Sequence, residues 1–268
     1  MNGAPVAAEA PRRSFLYTSV GMWTVRGTTA ILILGVWQWY ADGLSKALFA
    51  PPTRVAEAVW RQVVVDKSIW EPLGSSMSAL SLGFVAAVAV GIPFGILMGR
   101  WRVVENVLDP YVMFLYALPH VSFVPIMVIW FGFELKFRVL YVVFSAVWPV
   151  IINTMTGVKS IDPELLAVGR SFCARERQML RTIVLPAAAP YMVVGARQAF
   201  SAAWVGVVVS EILSTQSGLG GQIMTFANYF QTADMLVPVL FIMVIAVIIQ
   251  AVTGFLQTRL TPWSDSAV

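Results

Sequence analysis

Residues 72–99 read PLGSSMSALSLGFVAAVAVGIPFGILMG, a stretch without a single Asp, Glu, Lys or Arg. A helix of roughly 20 apolar residues crosses a hydrocarbon core, so this stretch is long enough to do so. The same reading holds for three more charge-free stretches, Pro110 to Phe133, Val139 to Val158 and Met235 to Leu256. Composition agrees: 58% of the 268 residues are apolar and 12% are charged. A soluble domain has about a quarter of its residues charged, so too few charges remain here to coat a water-exposed surface. Strands of a membrane barrel would alternate polar and apolar in runs of about ten, which these stretches do not do. The chain is therefore expected to be an all-α, polytopic membrane protein.

Six spans are expected, near 24–41, 75–98, 110–133, 138–157, 187–213 and 236–257. An outer loop precedes the second and is expected to carry a short interfacial helix from about Arg54 to Trp70. Six spans put both termini on one side, and the bases choose the side. With the N-terminus in the cytoplasm, eleven Lys and Arg fall inside and six outside, Lys46 and Arg138 among the latter. That asymmetry fits the positive-inside rule and accounts for the net charge of +4 without nucleic acid. Arg12-Arg13-Ser14-Phe15-Leu16 looks like a twin-arginine export signal, but no small-residue cleavage site follows, so a cytoplasmic basic anchor is the preferred reading. The organisation expected is a segment 1–50 with the first helix, a loop 51–74, a five-helix core 75–260 and a tail 261–268.

Ser75, Ala79, Gly83, Ala87, Gly91, Gly95 and Gly99 recur every four residues, close to one face of a helix. Gly195, Ala199 and Ala203 repeat the device in the fifth span. Small residues let a second helix approach closely in lipid, and simple helix packing explains both stripes. Pro119 and Pro125 break the third span around His120, the only histidine. Proline removes a backbone donor, and carbonyls freed at membrane depth are tolerated where they line a cavity or are buried in protein. Pro119, His120 and Pro125 are thus candidates for a pathway, with ordinary kinked packing as the alternative. Arg197 and Glu211 lie inside the fifth span, 14 residues or about 21 Å apart, too far to pair within one helix. Intramembrane ions face a protein interior or a water-filled cavity. For Arg197 a gate or anion-steering role competes with snorkelling to the cytoplasmic interface. For Glu211 a pathway role competes with an interhelical hydrogen bond.

Between the fourth and fifth spans runs SIDPELLAVGRSFCARERQMLRTIVLP, residues 160–186. Asp162 is a good N-cap, Pro163 suits the first helical position and Glu164 complements the positive helix end. The helix is expected to stop before Pro186. This loop mixes apolar and basic side chains, which suits either a lipid surface or a partner protein.

The loop resembles the EAA loop of ABC importer permeases, whose pattern is Glu-Ala-Ala, three residues, Gly, nine residues, Ile, one residue, Leu-Pro. Anchored on Ile183, Leu185 and Pro186, the pattern falls with its Gly on Cys173 and its Glu-Ala-Ala on Ala167, Val168 and Gly169. The spacing and the Leu-Pro end match; the Glu and the Gly are replaced. Leu118-Pro119 to Val124-Pro125, Trp130-Phe131-Gly132, Val207 to Leu213 and Ser217-Gly218-Leu219-Gly220 are similar to the branch that imports taurine, alkanesulfonates, nitrate and related anions. The resemblance implies a type I ABC importer permease fold in a bacterial inner membrane. It implies a second permease chain (a homodimer, which the small-residue stripe also favours), two ABC ATPase subunits and a periplasmic or lipid-anchored binding protein. It implies coupling to the ATPase through Asp162, Glu164, Ala167, Gly169, Phe172, Cys173, Ala174, Arg175, Leu185 and Pro186. Without the glycine, a changed turn is expected at Cys173, with the thiol more readily a small buried group than a reactive one. Glu164 or Glu176 is expected to take the part of the missing Glu. The chain has no Gly-x-x-x-x-Gly-Lys-Ser/Thr loop, so ATP and Mg²⁺ belong to the partner, and no cofactor or metal is expected here. An ion-driven secondary transporter would need several intramembrane acids, and an enzyme would need clustered polar groups; neither is present in the spans.

Overall fold

The computed structural model describes residues 19–45, 48–214 and 217–260, and among them the regular structure is helical throughout. Arg12, Arg13, Lys46 and the 261–268 tail lie outside the described residues. The order is α1 (Ser19–Asp42), α2 (Pro52–Trp60), α3 (Trp70–Arg100), α4 (Arg102–Ala117), α5 (Val124–Phe131), α6 (Leu135–Lys159), α7 (Pro163–Ser171), α8 (Glu176–Met179), α9 (Leu185–Ser214), α10 (Gly218–Asn228) and α11 (Thr232–Leu260). Among the described residues four helical runs are long and apolar enough to cross a membrane: α3, α6, Glu176–Ser214 and α11. The bent pair α4–α5 makes a fifth when counted as one broken span. α1 is the remaining candidate of the six expected; it is peripheral, packs on α2 and turns Ile31, Leu32 and Ile33 outward.

α6 is the core of the bundle. Over half of its apolar window, 56%, is buried inside the chain, against 28% for α3 and 17% for α11. It lies between α3 and α9, and the two small-residue stripes are the reason. A Cβ placed on Gly83 would sit 2.4 Å from Val142 Cγ1, and one on Gly95 would sit 2.7 Å from the carbonyl of Ile151. On the opposite face a Cβ on Gly195 would meet Asn153 Cβ at 2.9 Å. Ala79, Ala87, Ala199 and Ala203 are fully buried in the same seams. The α3 stripe is thus spent within the chain. It cannot serve as a surface for a second copy, so the homodimer expectation loses that support and keeps only the resemblance.

Several boundaries differ from those expected, for local reasons. The third span is not one kinked helix over 110–133: α4 ends at Ala117 and the chain restarts at His120, the two parts meeting at 91°. Leu118, forced off the helical region by Pro119, is extended at φ −69° and ψ 142°. Pro125 then occupies the first turn of α5, where its missing N–H costs nothing. The interfacial helix runs from Pro52 and ends through a π turn at Val65, short of Trp70, because Lys67 takes a left-handed φ of 53°. It is tied down by Arg61 and Gln62, both bonded to Asp234 at the start of α11. Pro186 does not end a helix. A π turn over Leu180–Val184 carries the chain from α8 into α9, and the amide of Leu185 donates to the carbonyl of Leu180. With the ladder rearranged by one residue, the donor that proline lacks is not missed.

Candidate functional site

The break at Pro119 opens a cleft. It has a volume of about 880 Å³ and lies between the α4–α5 corner, α6, α9 and α11. Tyr116 and His120 come from the corner, Tyr141 and Ser145 from α6, Arg197, Gln198 and Ser201 from α9, and Gln250 from α11. Among the described residues no Asp or Glu lines it. Two residues singled out by sequence, His120 and Arg197, are 77 positions apart and both line this cleft. The His120 ring stands edge-on to Phe144, centroids 5.2 Å apart, and its Nε2 is buried with no hydrogen-bond partner. Arg197 is half-buried, about 18 Å along α9 by helical rise, and faces α11 near Gly254. Asn153 donates to Gln198 Oε1 at 3.0 Å on the cleft edge. A cavity with a fixed cation, several neutral donors and no carboxylate is suited to an anion, because no like charge must be desolvated beside it.

Glu211 does not line this cleft. It is fully buried, at 0% exposure, and Arg138 is at 5%. Arg138 Nη1 lies 3.2 Å from Glu211 Oε1 and donates to Ser75 Oγ at 3.0 Å. Ser76 Oγ lies 2.8 Å from both carboxylate oxygens, the amide of Gly220 donates to Oε2 at 3.1 Å, and the amide of Leu219 donates to Ser76 Oγ at 3.0 Å. One carboxylate therefore joins α3, α6, α9 and the start of α10. Gly218 makes this possible. Its φ is +79°, and a Cβ there would lie 1.9 Å from Glu211 Oε1. Glu211 thus makes the interhelical hydrogen bonds that one of its two readings expects. Its charged partner was missed in the sequence, where Arg138 counts as a loop base. The signal was nonetheless present: Arg138 opens the fourth span on the side where the fifth ends with Glu211.

The 160–186 loop folds as a helix pair docked on the ends of α3 and α6. Asp162 Oδ1 accepts from the amide of Glu164 at 2.8 Å, the expected cap. Ile161, Val158, Val184 and Ala188 are buried together, with Leu166 and Ile183 packed on them. Gly169 is buried, and a Cβ there would meet Ile183 Cδ1 at 2.8 Å. Glu176 is engaged by Arg100 within the chain. Glu164 has no ion pair among the described residues, so of the two acids it is the one left for a partner. Ala167, Arg175 and Pro186 are exposed, Ala174 and Leu185 half-buried. Leu165, Val168 and Phe172 form an outward apolar edge on α7, with Phe172 83% exposed.

Cys173 departs from one expectation: it is exposed rather than buried, and its backbone takes a left-handed φ of 52°. A side chain held there costs about 1 kcal/mol relative to glycine. Cys173→Gly is expected to recover about that much, read as a higher melting midpoint of the purified chain, and Cys173→Val to lower it further.

Long apolar helices around a cleft with polar side chains, with an apolar-edged loop at one end, are the build of a membrane permease subunit. The chain belongs to the family of binding-protein-dependent transport system inner membrane components, whose profile matches residues 91–265. It is 30% identical to the taurine transport system permease protein TauC of Escherichia coli K12, over 88% of each chain. It is 26% identical to the nitrate import permease protein NrtB of Leptolyngbya laminosa, over 97% of this chain and 96% of that one. A chain of the MetNI methionine ABC transporter, solved in inward-facing conformations, superposes with a TM-score of 0.60 at 18% identity, covering 75% of this chain and 97% of that one. That likeness gives the fold, the type I ABC importer permease fold expected from the loop.

Proposed function

We propose that two copies of this chain form the path by which a small anion, of the sulfonate, taurine or nitrate kind, crosses the inner membrane with both termini cytoplasmic. A binding protein delivers the anion at the outer face. Two separate ABC ATPase subunits hold ATP and Mg²⁺, and their closure moves the 160–186 loop. The helices rock, and the cleft with His120 and Arg197 is exposed first to one side and then to the other. The observation that carries the reading is the cleft itself, whose described lining holds Arg197, neutral polar side chains and no Asp or Glu. The apolar edge at Leu165, Val168 and Phe172 supports the ATPase contact, since exposed apolar side chains rimmed by polar ones mark an interaction surface.

Cys173 is the only cysteine and is exposed, so it reports the contact directly. A membrane-impermeant maleimide is expected to label it in inside-out vesicles of the chain alone. Addition of the cognate ATPase is expected to protect it. Phe172→Asp should abolish the protection and the ATP-dependent uptake together. Labelling from the outer face of intact cells, or uptake and protection that survive Phe172→Asp, would refute the assignment.

A further inference from the structure

We infer that the recess beneath the coupling loop, where α3 and α6 end, binds the headgroup and upper acyl carbons of an anionic phospholipid. The inference rests on the reading of residues 160–186 as a cytoplasmic loop at the membrane face. The recess has a volume of about 610 Å³. Its floor is apolar: Ile96, Val158, Ile161, Leu166 and Val184. Its rim carries Arg100, Arg170 and Arg177 with one acid, Glu176. Arg100 is committed to Glu176, while neither Arg170 nor Arg177 has an ion pair among the described residues. Two positive charges therefore face an apolar slot. Trp101, half-exposed, stands at its edge at the end of α3.

These features match the parts of one molecule. Guanidinium groups pair with phosphate oxygens in fork geometry. Acyl carbons next to the glycerol cover an apolar floor that a free inorganic anion would leave wet. An indole prefers the headgroup level of a bilayer. Basic pockets between membrane helices on the cytoplasmic side are where anionic headgroups settle, drawn by the negative potential of that leaflet. A lipid seated there would touch the end of α3 and both α7 and α8. It would stiffen the lever through which the ATPase acts, so the coupling would depend on lipid charge.

The test uses the complete permease–ATPase complex, reconstituted in nanodiscs of phosphatidylcholine containing phosphatidylglycerol and then released for native mass spectrometry. The wild type is expected to keep phosphatidylglycerol in preference to phosphatidylcholine. The Arg170→Gln/Arg177→Gln variant is expected to keep about thirtyfold less of it, as removal of two bases near an anionic surface requires. Arg54→Gln, in the outer loop, should change nothing. If the double variant fails to assemble, Arg177→Gln alone is read, with about fivefold less lipid expected. Equal retention in wild type and variant overturns the inference. Displacement of phosphatidylglycerol by inorganic phosphate also overturns it, and assigns the recess to a free anion. A wild-type chain that does not co-purify with the ATPase sinks the coupling-loop reading instead, which separates the two failures.

Discussion

Glu211→Ala and Arg138→Met, made singly, are each expected to cost the fold about 3–5 kcal/mol, the scale of removing one partner from a buried ion pair. Each change leaves the other charge fully buried, with Arg138 at 5% exposure and Glu211 at 0%. Arg138 Nε already lacks a partner, so the guanidinium has no reserve of hydrogen bonds. The expected readout is loss of a monodisperse peak after solubilisation and a strongly lowered melting midpoint. Arg138→Met combined with Glu211→Gln should recover most of the loss. The pair of charges goes together, and the amide oxygen still accepts from Gly220 and Ser76. Gly218→Ala should fail as the single variants do, since its Cβ would fall 1.9 Å from the carboxylate at a φ of +79°. A stable Glu211→Ala chain that merely stops transporting would refute the clamp and return Glu211 to the pathway. So would a double variant no better than the singles.

The clamp also marks how far sequence carries. Periodicity alone placed α3 and α9 against a neighbour, because a small residue every fourth position lets another helix approach closely in lipid. It could not say which neighbour. α6 has no small-residue stripe of its own; its valines and Thr154 are the knobs that enter the glycine seams. The same limit hid Arg138. Charge counting treats a base at a span end as belonging to the loop, whereas contact with α3 and α9 drew this one inside. Pro119 was read correctly as a break, but its size was not legible: a kink and a 91° corner start from the same missing donor. The opposite error occurred at Pro186, where a π turn absorbed the missing donor without ending the helix. Placing His120 and Arg197 on one cleft needed the fold, since neither spacing nor charge joins residues on different helices.

Arg197→Ala is expected to lower transport roughly ten- to hundredfold, the range set by losing hydrogen bonds to a charged group. Assembly and basal ATPase activity should stay intact. The residue sits in the cleft with His120, Tyr116, Gln198 and Gln250, and it is the one Lys or Arg among the described residues that line that space. An anion leaving water for that space needs a compensating cation, and arginine holds its charge at any physiological pH. Two symmetry-related clefts would present two such cations, and a stronger site would hold the cargo rather than pass it. Arg197→Lys therefore discriminates best: it keeps the charge and loses the planar fork, so an intermediate rate is expected. His120→Phe should cost less than Arg197→Ala, because it removes a buried nitrogen without a partner and keeps the ring packed on Phe144. If Arg197 only snorkels and supports its helix, the losses in transport and in thermal stability will run in parallel across Ala and Lys. A well-folded Arg197→Ala complex that transports at the original rate would remove Arg197 from the pathway and leave it as a structural residue of α9.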